Sequence, residues 1–118
     1  MDSQRIARYI VKLLGTAIAV WVAAWWLEGI KVDNIWWAIL VAFVLGLLNT
    51  FIKPILQLIS FPFIIITFGL FLVVINAVLL MFTGDLVPDH HFVVEGFWPA
   101  FWGSIIISIV SGILEPKD

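Results

Sequence analysis

Two adjacent histidines and two nearby carboxylates are the residues of this sequence that most resemble a metal site. Asp89, His90 and His91 lie with Glu95 in a polar stretch of the chain. Imidazoles and carboxylates are common zinc ligands. Adjacent side chains in a loop need not converge on one ion, so we predict neither a metal site nor a cofactor. The sequence has no cysteine, which excludes thiol catalysis and thiolate metal sites.

Asn49 and Asn76 are the most polar uncharged residues within the apolar parts of the chain. Each amide needs a partner in lipid, and we expect hydrogen bonds across a helix bundle, worth about 0.6 kcal/mol and up to about 2 kcal/mol each. The alternative is that the two amides line a polar path. Acidic residues and histidines are missing from deep inside the predicted spans, so the sequence lacks the usual groups of a proton relay or a cation site. We therefore predict that the protein is not an enzyme.

The composition places these residues in a membrane protein. The chain has 118 residues, of which 64% are hydrophobic and 12% are charged, and its mean hydropathy is +1.17. That leaves too little polar surface to cover a soluble globule of this size. The net charge is only -2 and the six basic residues are spread along the chain, so nucleic acid is not an expected partner.

Four apolar runs of spanning length follow one another. They cover residues 6 to 27, 35 to 52, a stretch between 63 and 86, and 97 to 114. The first run would form about 33 Å of helix, enough to cross a hydrocarbon layer of about 30 Å with some tilt. A cleaved signal peptide is the alternative for this run, but its apolar part before the candidate cleavage site is too short. We predict a single membrane domain over residues 1 to 118.

The basic residues predict the orientation of these spans. If the N-terminus is cytoplasmic, Lys31 is the one basic residue on the outer side, as the positive-inside bias requires. Both termini then face the cytoplasm. The remaining basic residues lie inside, namely Arg5, Arg8, Lys12, Lys53 and Lys117.

The tryptophans show a second asymmetry. All seven fall at or near the predicted outer boundary, where an interfacial belt would anchor the protein. They are Trp21, Trp25, Trp26, Trp36, Trp37, Trp98 and Trp102. An aromatic cage for a cationic headgroup is the alternative.

The chain also repeats itself. An offset of 62 residues places residues 34 to 54 over 96 to 116 and matches Trp36 with Trp98. Two spans per unit return the chain to its starting side, so the two units would share one orientation about a pseudo-twofold axis along the membrane normal. We predict repeat one at about residues 6 to 54 and repeat two at about 66 to 116.

Small residues recur every four positions on the second and fourth spans. In lipid, close approach along small residues holds helices together. We expect the two stripes to face each other near the pseudo-axis; the alternative is that they face any neighbouring helix, including one of another subunit. The second span carries Ala38, Ala42 and Gly46, and the fourth carries Ala100, Ser104, Ser108 and Gly112.

A connector at about residues 53 to 65 has no counterpart in the second repeat. Lys53, Gln57 and Ser60 share one helical face, and apolar residues take the rest. The pattern predicts a short amphipathic helix in the inner interface, ended by Pro62. A re-entrant dip or a kinked continuation of the second span is the alternative.

Three motifs resemble a known bacterial family over nearly the whole chain. GLLNTFIKPILQLISFPF, TFGLFLVVINA and GFWPAFWGSIIISIVSGIL are similar to the mycobacterial four-TMS phage holin superfamily, also called YvlD-like proteins. The resemblance implies a small protein of the bacterial inner membrane that oligomerises and opens lesions in the bilayer.

Together these features predict an all-α integral membrane protein. Its four transmembrane helices would form two tandem two-helix repeats with a short interfacial segment between them. The expected function is holin-like permeabilisation by an oligomeric pore. The alternative is a scaffold that binds another membrane complex or an envelope-stress component. The expected partners are the lipid bilayer and a second copy of the chain or another membrane protein.

Overall fold

Five α-helices and two short β-strands form the structure, a computed structural model that describes residues 3–114. A 3₁₀ turn, Pro88–His90, precedes the second strand. The chain is helical, as predicted, with a small sheet that the sequence did not predict. In chain order the elements are α1 (Ser3–Trp26), β1 (Ile30–Val32), α2 (Ile35–Phe51), α3 (Lys53–Ile66), α4 (Phe71–Leu86), β2 (Phe92–Val94) and α5 (Phe97–Leu114).

The two strands pair in an antiparallel sheet at the end of the bundle where α1 ends and α2 and α5 begin. We call this the sheet end. Backbone hydrogen bonds extend the pairing on both sides: Glu95 N donates to Gly29 O at 2.7 Å, and Asp33 N donates to His91 O at 3.0 Å. The register pairs Ile30 with Val94, Lys31 with Val93, and Val32 with Phe92.

The sheet closes over the helices with two large apolar side chains. Ile30 and Phe92 are each only 1% exposed. A Cβ built on Gly103 of α5 would lie 2.2 Å from Ile30 Cδ1, so this glycine makes room for the isoleucine. The sheet therefore contributes side chains to the buried core.

Four of the helices form a ring. α1 packs against α2 and α5, while α4 packs against α5 and, less extensively, against α2. α3 lies outside the ring and contacts α2 and α4. The buried residues concentrate in the half nearest the sheet, as shown by Val20, Val41, Leu79, Ala100 and Phe92.

The predicted seam between the two small-residue stripes is wrong. Within the described helices, α2 and α5 lie diagonally across the ring and share no extended contact. Each instead packs against α1 and α4, because small residues allow close approach to any neighbour and do not specify which one. The buried stripe members are Ala38, Ala42, Ala100 and Ser104, whereas Gly46, Ser108 and Gly112 are exposed. A Cβ built on Gly46 or Gly112 would meet no atom within 4 Å.

The predicted connector is a helix, but its end differs from the prediction. α3 bends by 58° from α2 at Ile52 and has no buried residue. Pro54 lies in the first turn of α3, where its missing N–H costs no hydrogen bond. Pro62 lies inside α3 and does not end it. The helix continues through Pro62 although proline has no N–H to donate to the preceding turn, so one backbone hydrogen bond of α3 is missing there.

Two described helices, α1 and α5, are long and apolar enough to cross a membrane by themselves. α2 and α3 meet that criterion only as one bent pair, which is a broken span or a re-entrant segment. α4 has 16 residues, or about 24 Å of helix, which is shorter than a typical hydrocarbon layer. The described helices therefore differ in how much of a bilayer each could cross.

Candidate functional site

A polar cavity lies inside the helix ring, in the half away from the sheet. Its volume is about 390 Å³, and all five helices contribute to its lining. At a rise of 1.5 Å per residue, Asn49 lies about 21 Å along α2 from the sheet end. The cavity therefore occupies the part of the bundle where few residues are buried.

Three side chains of the cavity lining are apolar and buried. Leu45, Leu80 and Ile107 line the cavity and are 6%, 1% and 6% exposed. Beyond them lies the buried core, including Val41 and Leu79. We call the three side chains of Leu45, Leu80 and Ile107 the apolar layer.

Three carboxamides line the cavity without a protein partner. Within residues 3–114, the side-chain amides of Asn49, Gln57 and Asn76 make no hydrogen bond to another protein group. The described chain also contains no fully buried side-chain polar atom that lacks a partner, so these amides are accessible from the cavity. The structure does not show the interhelical hydrogen bonds predicted for Asn49 and Asn76. Their donors and acceptors remain available to water or a ligand.

Hydroxyl groups cover much of the remaining wall. Thr16 of α1 and Ser108 and Ser111 of α5 line the cavity. Ser104 lines it as well, and its hydroxyl donates to Phe101 O at 2.8 Å. A serine hydroxyl engaged in this way can still accept a second hydrogen bond.

Positive charge distinguishes the cavity from a neutral polar pocket. Lys53, the first residue of α3, is half-buried and lines the cavity. In the described part of the chain it has neither an ion pair nor a hydrogen bond through its side chain. Lys12 also lines the cavity and is engaged in an interaction of its own. The described lining contains no acidic residue.

The candidate metal residues do not converge. The His91 ring stacks on Trp37 with centroids 3.8 Å apart, and its Nδ1 lies within hydrogen-bonding distance of Asp33 Oδ2. Glu95 instead pairs with Lys31 at 3.6 Å between exposed side chains. Among residues 3–114, no three His, Asp or Glu side chains are grouped as metal ligands would be.

The tryptophans lie near the sheet end, on α1, α2 and α5. Trp37 differs from the others, since it is half-buried and stacked on His91 rather than available to an interface. Its position beside the sheet gives it a packing role. The six exposed rings are Trp21, Trp25, Trp26, Trp36, Trp98 and Trp102.

Sequence reasoning did not gather the cavity residues into one site. The pattern did place Lys53 and Gln57 on one helical face, and a second offset of 60 residues in the first and third spans aligns Thr16 with Asn76. Both signals pointed toward the cavity, but residues on five helices meet only once the ring order is known.

The family comparison identifies the chain. The sequence profile described as "Mycobacterial 4 TMS phage holin, superfamily IV" matches residues 7–113. The chain belongs to this family. The predicted resemblance is therefore confirmed, and membership in a four-span family supports the membrane-helical class and a holin-like nature.

Two curated relatives cover nearly the whole chain. An uncharacterized protein of Streptomyces coelicolor, SCO3922, is 40% identical over 115 residues, covering 91% of this chain and 92% of that protein. The uncharacterized membrane protein YvlD of Bacillus subtilis is 36% identical over 116 residues, covering 94% of this chain and 97% of that protein. No solved structure matches the chain. Neither the family nor these relatives indicate an enzymatic class.

Proposed function

We propose that the protein forms a gated, holin-like pathway in the bacterial inner membrane. The polar cavity would be its cytoplasmic vestibule, and the apolar layer of Leu45, Leu80 and Ile107 would be its closed gate. The observation that carries this proposal is a polar cavity that enters the bundle and stops at buried apolar side chains. Polar groups inside a membrane cost free energy unless they are hydrated or paired, so folding alone does not favour such a cavity. Apolar constrictions can gate a pathway by excluding water.

The charge distribution supports an orientation with the sheet outside. Lys31 lies in β1 at the sheet end, whereas Lys53 lies at the junction of α2 and α3. Arg5, Arg8 and Lys12 lie in the first half of α1, away from the sheet. Lys117 lies outside the described residues. By the positive-inside bias, the cavity and both termini belong on the cytoplasmic side.

We also propose that residues 6 to 54 and 66 to 116 are tandem repeats about a pseudo-twofold axis. The sheet supports this, because a shift of 62 residues exchanges the Ile30–Val94 pair with the Val32–Phe92 pair. A twofold contact has this property: equivalent residues exchange roles across the interface. The helix neighbours also exchange, since α1 packs on α2 as α4 packs on α5.

Two further contacts obey the same shift. Gly29 lies against Pro99, and His91 lies against Trp37. A shift of 62 residues maps Gly29 onto His91 and Trp37 onto Pro99, so it exchanges these two contacts. The cavity then lies between the repeats, where membrane transporters with repeated halves hold their substrates.

Exposed glycines support assembly with another chain. Gly46 and Gly112 lie on spans but have open space around them. Small residues of this kind allow close helix approach in lipid, and no neighbour within the described chain uses them. We propose a homo-oligomer as the arrangement in which they are covered. The scaffold function is the second candidate, with a different membrane protein covering the same positions.

Dye-loaded liposomes test the gate. Leu80→Ser places a hydroxyl in the apolar layer and should raise dye release well above that of the wild-type protein at equal protein-to-lipid ratio. Leu47→Ser is the matched control, because Leu47 is 43% exposed on α2 and does not line the cavity. We expect the control to release dye at the wild-type rate.

Two results would contradict the pathway. Equal dye release from both variants would mean that the apolar layer does not control permeation. Intact liposomes with every variant, together with a stable complex recovered from native membranes, would favour the scaffold instead.

A further inference from the structure

We infer that the polar cavity binds a phosphate group. The proposed function treats this cavity as the vestibule of a pathway, and the inference names the chemistry of its ligand. It holds even if the apolar layer never opens. It starts from the chemistry of the lining. Within the described residues, the lining combines one ammonium group that has no protein partner, that of Lys53, with several uncharged hydrogen-bonding groups.

The lining is rich in donors. Lys53 supplies three N–H groups and a positive charge, and each of Asn49, Gln57 and Asn76 supplies two N–H groups. Within the described residues, none of these four side chains donates to a protein acceptor. A tetrahedral oxyanion, with several acceptor oxygens and negative charge, satisfies such a set of donors.

Other ligand classes fit less well. A metal cation prefers carboxylate ligands, and the described lining offers none. A sugar or a nucleobase commonly stacks on an aromatic ring, and no aromatic residue belongs to the described lining. An apolar ligand would leave the amides and the lysine unpaired, which costs free energy for each buried group.

The site is positioned for a ligand that arrives at the membrane surface. Lys53 and Gln57 belong to α3, which bends away from α2 and presents large exposed apolar residues such as Leu58 and Ile59, 80% and 70% exposed. Asn49 and Ser108 are exposed beside the cavity. A phosphate on a membrane amphiphile could thus enter the cavity while its hydrocarbon chain stays along the apolar surface of α3. A volume of about 390 Å³ also suits a free phosphate or a small phosphate ester.

Isothermal titration calorimetry in a non-ionic detergent tests the inference. The probes are dioctanoyl phosphatidic acid, inorganic phosphate and, as a zwitterionic control, dioctanoyl phosphatidylcholine. We expect phosphatidic acid or inorganic phosphate to bind and phosphatidylcholine to bind much more weakly. Binding of phosphatidic acid alone identifies a membrane amphiphile as the source, and binding of inorganic phosphate identifies a soluble anion.

Lysine variants locate the binding group. Lys53→Gln should weaken binding by about tenfold or more, because it removes a charge-assisted hydrogen bond. Lys53→Arg should restore most of the affinity. Lys31→Gln is the matched control, since Lys31 is an exposed lysine at the sheet end. Its affinity should equal that of the wild-type protein.

Asn76→Leu tests the uncharged wall at nearly constant side-chain size. It should weaken binding several-fold while the circular dichroism spectrum and the elution volume stay unchanged.

Equal affinity in wild type and Lys53→Gln, equal binding of phosphatidic acid and phosphatidylcholine, or no binding of either phosphate probe would overturn the inference. Because binding is measured without liposomes, a protein that binds phosphate but never releases dye would refute the pathway alone.

Discussion

Replacing Gly29 by alanine should loosen the contact between the sheet and α5. An added Cβ would lie 2.3 Å from Pro99 Cγ and 2.5 Å from Pro99 Cβ. Carbon atoms in contact prefer separations of about 3.5 to 4.0 Å, so the two groups must move apart by more than about 1 Å. The proline ring is rigid and belongs to the first turn of α5. It cannot rotate away as a long side chain could.

The cost follows from what resists this movement. Gly29 O accepts a hydrogen bond from Glu95 N at 2.7 Å, so Gly29 is tied to the strand of the other half. Breaking that bond costs about 0.5 to 1.5 kcal/mol, and shifting α5 as an overpacked element costs about 1 to 3 kcal/mol. If both costs apply, we expect Gly29→Ala to lower the free energy of unfolding by about 1.5 to 4.5 kcal/mol.

An SDS titration in mixed micelles, followed by circular dichroism, measures the change. Gly84→Ala is the matched control, because Gly84 lies in α4 and its added Cβ would lie 3.6 Å from Val94 Cγ2, an ordinary van der Waals distance. Helix propensity predicts that this control gains up to about 1 kcal/mol. An SDS midpoint for Gly29→Ala equal to that of the wild-type protein would show that the contact between the sheet and α5 is not tight.

Three further predictions concern orientation, assembly and the sheet. Single cysteines at Ser3 and Asp89, in a chain without native cysteine, should differ in labelling by an impermeant maleimide in intact cells, and equal labelling would exclude the proposed orientation. Gly46→Leu should leave the SDS midpoint of the monomer unchanged but reduce chemical cross-linking between copies; an unchanged cross-linking yield would mean that Gly46 is not at an interface. His91→Gln should cost about 0.5 to 1.5 kcal/mol through lost ring stacking, whereas the same change at exposed His90 should stay within about 0.5 kcal/mol; an equal effect of both changes would refute a packing role for the His91 ring.

The helical class and the membrane location could be predicted because they depend on local composition. A run such as residues 97 to 114 can be recognised as a membrane helix from its length and hydropathy alone, without knowledge of which helices it packs against. The end of α3 could not be predicted in this way. A proline inside a helix removes one backbone hydrogen bond and commonly ends or kinks the helix, but α3 continues past Pro62 to Ile66.

The sheet was missed because each strand has only three residues, too few to show an alternating pattern. The seam was placed wrongly for a different reason. Small residues such as Ala42 and Ser104 show that a helix is closely packed, but both α2 and α5 use them against α1 and α4. The cavity depends on this ring order as well, so sequence reasoning singled out some of its residues, such as Asn49 and Asn76, but did not bring them together in one site.

The β1–β2 sheet makes the bundle mechanically unequal along its length. At that end, backbone hydrogen bonds join the two halves and large side chains fill the space beneath them. At the other end the ring surrounds a polar cavity and has few buried residues. We therefore expect thermal motion that spreads the helices to pivot at the sheet, so that the side of the bundle with Lys53 and Asn49 moves more than the sheet end.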